Sequence, residues 1–118
     1  MESILTSIKK LLGPGVEYEH FDPDLIMHIN SLFMILRQMG IGPSQGFSIS
    51  DDTALWTDYL SDIEEIEAVK TYIYMKVRLI FDPPTIGGVL EMYKEMIKEF
   101  EWRLNVEAET PTIKEEEG

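Results

Sequence analysis

A chain of 118 residues with 44% hydrophobic content has the size and the apolar material for one domain around one core, which argues against two independent units. Its 22 acidic and 10 basic side chains leave a formal net charge of −12, so its average surface repels phosphate backbones and anionic membranes, and a conventional DNA-reading role is disfavoured. The absence of cysteine excludes disulfides, thiolate metal sites and cysteine nucleophiles, and it suits a reducing compartment.

In the first segment Ile4, Leu5, Ile8, Leu11 and Leu12 recur at helical spacing, and Gly13-Pro14-Gly15 ends the pattern. This predicts a short amphipathic helix. Its two lysines, Lys9 and Lys10, and its lack of an aromatic anchor favour docking on protein over lying on a membrane. The basic residues follow the first apolar ones, so the segment reads as mature sequence rather than a secretory signal.

A second helix is predicted from Asp22, as N-cap, through Pro23 and Asp24 to about Met39, with Gly40 as its left-handed C-cap. Leu25, Ile26, Ile29, Leu32, Phe33 and Leu36 form its buried stripe, widened by Met27, Met34 and Ile35, so it should touch neighbours on more than one side. It contains the longest apolar run of the chain, Leu32-Phe33-Met34-Ile35-Leu36, far short of the roughly 18 to 20 residues that span a bilayer. No membrane partner is expected.

Residues 41–60 break the helical period. Gly42-Pro43 and Gln45-Gly46 mark turns, Phe47-Ser48-Ile49 alternates briefly, and Asp51 or Asp52 is placed to cap a helical turn carrying Leu55, Trp56 and Tyr59. Structured loops of this length in compact domains are commonly functional, which makes Phe47, Trp56 and Tyr59 candidate contact residues.

The third main helix opens on an expected capping box, Ser61 with Glu64, and stops at Asp82-Pro83-Pro84. One stripe holds Ile66, Val69, Ile73, Val77 and Ile80. A second holds Tyr72, Met75 and Leu79, so the helix should be the central spine. The fourth, from about Thr85 or Ile86, buries Val89, Tyr93, Met96, Ile97, Phe100 and Leu104, while Glu91 with Lys94, Glu95 with Lys98 and Glu99 with Arg103 pair on a solvated face. Residues 107–118 hold five acids and one lysine. This composition predicts a single helical domain over residues 1–107 and a disordered acidic tail over 108–118. The expected fold is all-α, a compact bundle of about four main helices with a long structured loop.

Candidate chemistry is sparse. Asp24 and His28 share a helix face, with His20 and Asp22 just before it, but two histidines eight residues apart match no standard ligand spacing. Metal, catalytic and cofactor sites are therefore not predicted, and neither is enzymatic activity. Residues 40–46 loosely match a glycine-rich nucleotide loop; they follow a helix instead of a strand and no phosphate-loop lysine comes after, so they read as a turn. Lys70, Lys76, Arg78, Lys94, Lys98 and Arg103 interleave with Tyr72, Tyr74 and Trp102, yet acids accompany most of them, which favours a helix surface or a subunit interface over nucleic-acid binding. Tyr72 and Trp102 join the candidate interface residues on that ground.

One set of motifs carries a resemblance. Phe-Asp-Pro-Asp leading into Ile-Met-His-Ile-Asn-Ser (21–31), Gly-Pro-x-x-Gly-Phe (42–47), Val-Lys-Thr-Tyr-Ile-Tyr-Met-Lys-Val-Arg-Leu-Ile-Phe-Asp-Pro-Pro (69–84) and Glu-Trp-Arg-Leu-Asn (101–105) resemble the head-tail connector, or adaptor, proteins of siphophages and Gram-positive prophages. The resemblance covers roughly residues 3–107 and is strongest in the third main helix. It implies a helical structural protein of the virion, assembled in the host bacterial cytoplasm, in which about a dozen copies form a ring that closes by head-to-tail contacts. It also implies a portal protein on one side, a tail or stopper protein on the other, and DNA passing through without sequence-specific binding. The resemblance supplies no catalytic or cofactor motif. A small acidic regulatory or inhibitor module that occupies a protein partner is the competing reading.

Overall fold

The computed structural model describes residues 3–13, 21–81 and 85–117, with side chains described as far as Val106. Five helices follow one another: α1 (Ile4–Leu12), α2 (Asp22–Gln38), the single turn α3 (Trp56–Tyr59), α4 (Ile63–Phe81) and α5 (Gly87–Glu117). The described residues form no strand, only an isolated bridge between Ser3 and Leu55. The chain is the expected all-α bundle with a long ordered loop.

Local chemistry explains most helix ends. Ser3 Oγ accepts the Thr6 amide at 3.2 Å and caps α1. At the end of α2 the Ile41 amide donates to the Leu36 carbonyl and the Gly40 amide to that of Arg37, both at 2.9 Å, with Gly40 at φ +90°. This is a Schellman closure, whose left-handed residue favours glycine, and it is sealed by the buried side chains of Ile41 and Leu36.

Two expected caps are corrected. Asp22 lies inside α2, preceded by Phe21 in a helical conformation, and its carboxylate instead pairs with Lys9 Nζ at 2.8 Å, tying the start of α2 to the end of α1. At α4 the capping oxygen belongs to Asp62, which accepts the amides of Glu64 and Glu65 at 2.9 and 3.3 Å, in place of Ser61.

α4 is the spine: it packs against α1, α2 and α5. Ile66, Val69, Tyr72, Ile73, Met75 and Val77 are buried along it, whereas Ile80, expected in the stripe, is exposed. Contacts to α2 and α5 leave from different sides. Phe81 meets His28 of α2 edge to face at 5.5 Å, while Tyr72, Lys76 and Arg78 reach Glu101 and Tyr93 of α5. Ile97 and Leu104 of α5 are buried, and Val89, Tyr93 and Phe100 are half-buried. Met96, expected in the core, is exposed, because α5 rests mainly on α4 and buries only the narrow strip that one neighbour covers.

At 1.5 Å per residue, the 31 residues of α5 span about 46 Å. The molecule measures 49 × 35 × 21 Å, so α5 is nearly as long as the molecule's greatest extent. Its backbone continues through the acidic segment as far as Glu117.

Candidate functional site

The loop between α2 and α4 is folded into the core by specific contacts. Asn30 of α2 binds Ile49 twice, its Nδ2 donating to the Ile49 carbonyl at 2.9 Å and its Oδ1 accepting the Ile49 amide at 2.8 Å. The Ile4 amide donates to Ala54 O at 2.9 Å, pinning the far side of the loop to α1. Asp51 closes a local turn with Thr53, accepting from its amide at 2.9 Å and from its hydroxyl; these bonds hold the Asp51 carboxyl below its ordinary pKa. The α3 turn is capped from inside by Asp58, whose Oδ2 accepts the Leu55 amide at 2.8 Å.

Of the five residues read from the sequence as candidate interface, three lie in the core. Trp56 is 0% exposed, and its Nε1 donates to Ser7 Oγ at 2.8 Å. Tyr59 is buried against Phe33 and Phe47, the three ring centroids lying 4.6 to 5.1 Å apart. Tyr72 is 0% exposed; its hydroxyl donates to Glu101 Oε2 at 2.8 Å, and burial, followed by the neighbouring carboxylate, pushes its pKa up. A side chain sealed this way cannot itself touch a partner, so the expectation of an exposed aromatic loop is corrected at Trp56 and Tyr59, and Tyr72 joins α4 to α5. A long loop rich in aromatics signals function and core equally, and the Asn30 clamp that decides between them spans 19 residues.

The other two differ. Phe47 is half-buried, packed against Phe33 and Tyr59 and also lining an open cavity of about 210 Å³ between α2 and the loop. Phe33 and Met34 also line that cavity, and Arg37 stands at its edge. Trp102, on α5, is 67% exposed. The structure does not bring Phe47 and Trp102 together, because the cavity belongs to α2 and the loop while Trp102 belongs to the helix on the other side of α4.

Sequence reasoning took much of the apolar surface for core. Met27, Met34 and Ile35, read as widening the stripe of α2, and Met96, read as buried on α5, are exposed; Met92 and Val106 of α5 and Ile86 just before it are exposed as well. Their spacing signals an apolar stripe, but spacing alone does not say whether a neighbour within the chain covers it.

The basic residues are largely engaged within the fold. Arg78 donates to the hydroxyls of Tyr74 at 3.1 Å and Tyr93 at 2.6 Å, Arg103 pairs with Glu99 at 2.6 Å, and Lys76 and Lys94 lie 3.9 Å from Glu101 and Glu91. The α4–α5 groove beside them, about 310 Å³, is lined by both signs of charge around Leu79 and Ile97. Such a surface is balanced, not a phosphate track. His28 is packed against Phe81, and His20 lies outside the described residues. Among the described residues no three His, Cys, Asp or Glu side chains converge as a metal site, and no helix is long and apolar enough to cross a membrane.

The helical fold thus leaves apolar helix flanks and an open cavity that no other part of the described chain covers. The chain belongs to the phage connector protein family, whose pattern it matches over residues 4–111. The family is structural, and it places this protein in the virion at the junction of head and tail, among other head and tail proteins. No curated protein and no solved structure matches the chain.

Proposed function

We propose that the chain is one subunit of a ring that joins the portal to the tail, extends the DNA channel beneath the portal, and is put together in the bacterial cytoplasm. The observation that carries this reading is the pair of dissimilar apolar surfaces that the fold leaves on separate sides of α4, on α2 and on α5. A subunit that contacts its neighbours head to tail needs two different, complementary patches, whereas a two-fold dimer needs only one. The net charge of −12 supports the channel role, because an acidic wall keeps a passing polyanion from adhering. The portal protein on one face and a tail or stopper protein on the other are the proposed partners, and no step of chemistry is assigned to the chain.

Removal of the gene from its phage tests this. Heads and tails that accumulate separately, and that join when the protein is supplied, are the expected outcome. Normal numbers of tailed infectious particles without the protein would overturn the proposal.

A further inference from the structure

The two features that the fold leaves unused are a knob and a hole. Trp102 projects from α5 with 67% of its surface free, and Val106, one turn on, is exposed beside it. The cavity between α2 and the loop is open, about 210 Å³, floored by Phe33 and Phe47 and walled by Met34, itself 61% exposed. An engineered apolar cavity of about 150 Å³ already admits benzene, so this one has room for most of an indole.

Charged side chains border both features. Arg37 stands at the mouth of the cavity, with its Nε donating to the Ser44 carbonyl at 3.0 Å and its side chain lying against Gly46, so the guanidinium is held in place before anything binds. On α5, helical spacing sets Glu95 two turns before Trp102 on the same face, with Lys98 also on it, while Glu99 is held by Arg103 at 2.6 Å. Arg37 at the edge of the hole thus has Glu95 as a counter-charge beside the aromatic knob, and an arginine beside an indole face adds a cation–π contact. Within one chain the match cannot be made, since α4 stands between the two.

We infer that Trp102 of one copy inserts into the Phe33–Met34–Phe47 cavity of the next copy, with Arg37 facing Glu95 across the seam. The inference rests on the proposed ring and names its subunit contact. The contact is heterologous, so each copy gives a knob to one neighbour and a hole to the other, and the series ends only by closing.

The absence of native cysteine makes a direct test simple. The full chain carrying both Ser48→Cys, at the rim of the cavity, and Asn105→Cys, one turn from Trp102, keeps knob and hole intact and is concentrated, oxidised and resolved without reductant, beside the two single variants. The pairing predicts a ladder of covalent multimers from the double variant. It predicts cross-linked dimers when the two single variants are mixed, and little product from either alone. Independently, Trp102→Ala and Met34→Glu should each weaken self-association about tenfold or more without changing the helical circular dichroism of the monomer. Multimers that form by mass but yield no ladder would overturn the pairing and leave the ring standing. Dimers from Asn105→Cys alone would replace the pairing by a two-fold contact. A chain that stays monomeric when concentrated, with no cross-link, also overturns the pairing, and the ring is then judged by the phage lacking the gene.

Discussion

Ser7 is a small polar residue on the buried side of α1, and its hydroxyl serves two partners: it donates to the Ile4 carbonyl at 3.0 Å and accepts from Trp56 Nε1 at 2.8 Å. Ser7→Ala leaves the indole N–H buried without an acceptor, so it is expected to cost about 1–3 kcal/mol despite the conservative change, readable by urea denaturation. Tyr59 is the opposite case. Its buried hydroxyl has no hydrogen-bond partner among the described residues, and burial, with Glu65 contributing, pushes its pKa up. A raised folded-state value means that folding favours the neutral phenol: its contribution is complete below the ordinary value of about 10 and is lost as pH rises beyond it. Tyr59→Phe should therefore be at least as stable as the parent at pH 7 and lose less stability above about pH 10, which thermal melts across that range would show. Neither property could be read from the sequence, because the Ser7–Trp56 pair is 49 residues apart and the orphan hydroxyl is defined only by its surroundings.

At the scale of the element, the helices were legible where their signals are local. The Gly40 closure of α2, the double stripe of α4 and two of the three α5 charge pairs lie where the sequence puts them. Signals with near-equivalent neighbours misplaced the caps, since Ser61 and Asp62 are both good capping residues and only the backbone path selects Asp62. Gly42 shows a constraint of another kind. At φ +87° it lies so close to Tyr59 that an added Cβ would fall 2.6 Å from the ring, so the turn motif also sets how tightly the loop packs. The breadth of apolar stripes was readable, but whether this chain or another molecule covers them was not, and that is why Met96 and Ile80 were expected inside. For α5 past residue 107 we predict no role in holding the fold. Deleting residues 108–118, which carry four acids and a proline unable to donate its own helical hydrogen bond, should move the melting temperature by no more than a degree or two; a large fall would show that the segment packs.

The whole molecule combines a dense acidic charge with apolar flanks, and the two oppose each other in self-association. Copies at −12 repel over roughly a Debye length, about 8–10 Å at ordinary salt, while burial of methionine and tryptophan draws them together. Assembly driven this way strengthens as salt rises, whereas docking held mainly by charge on a basic partner weakens. A portal that sets out the docking positions would raise the effective concentration of neighbouring copies and overcome the repulsion. The mass of the complex formed when the chain is mixed with the portal protein of its own phage tests the account most directly. A closed assembly holding about as many copies of this chain as a ring requires, firmer at higher salt, is the predicted result; one copy per partner, or no complex in the presence of intact portal, would contradict it.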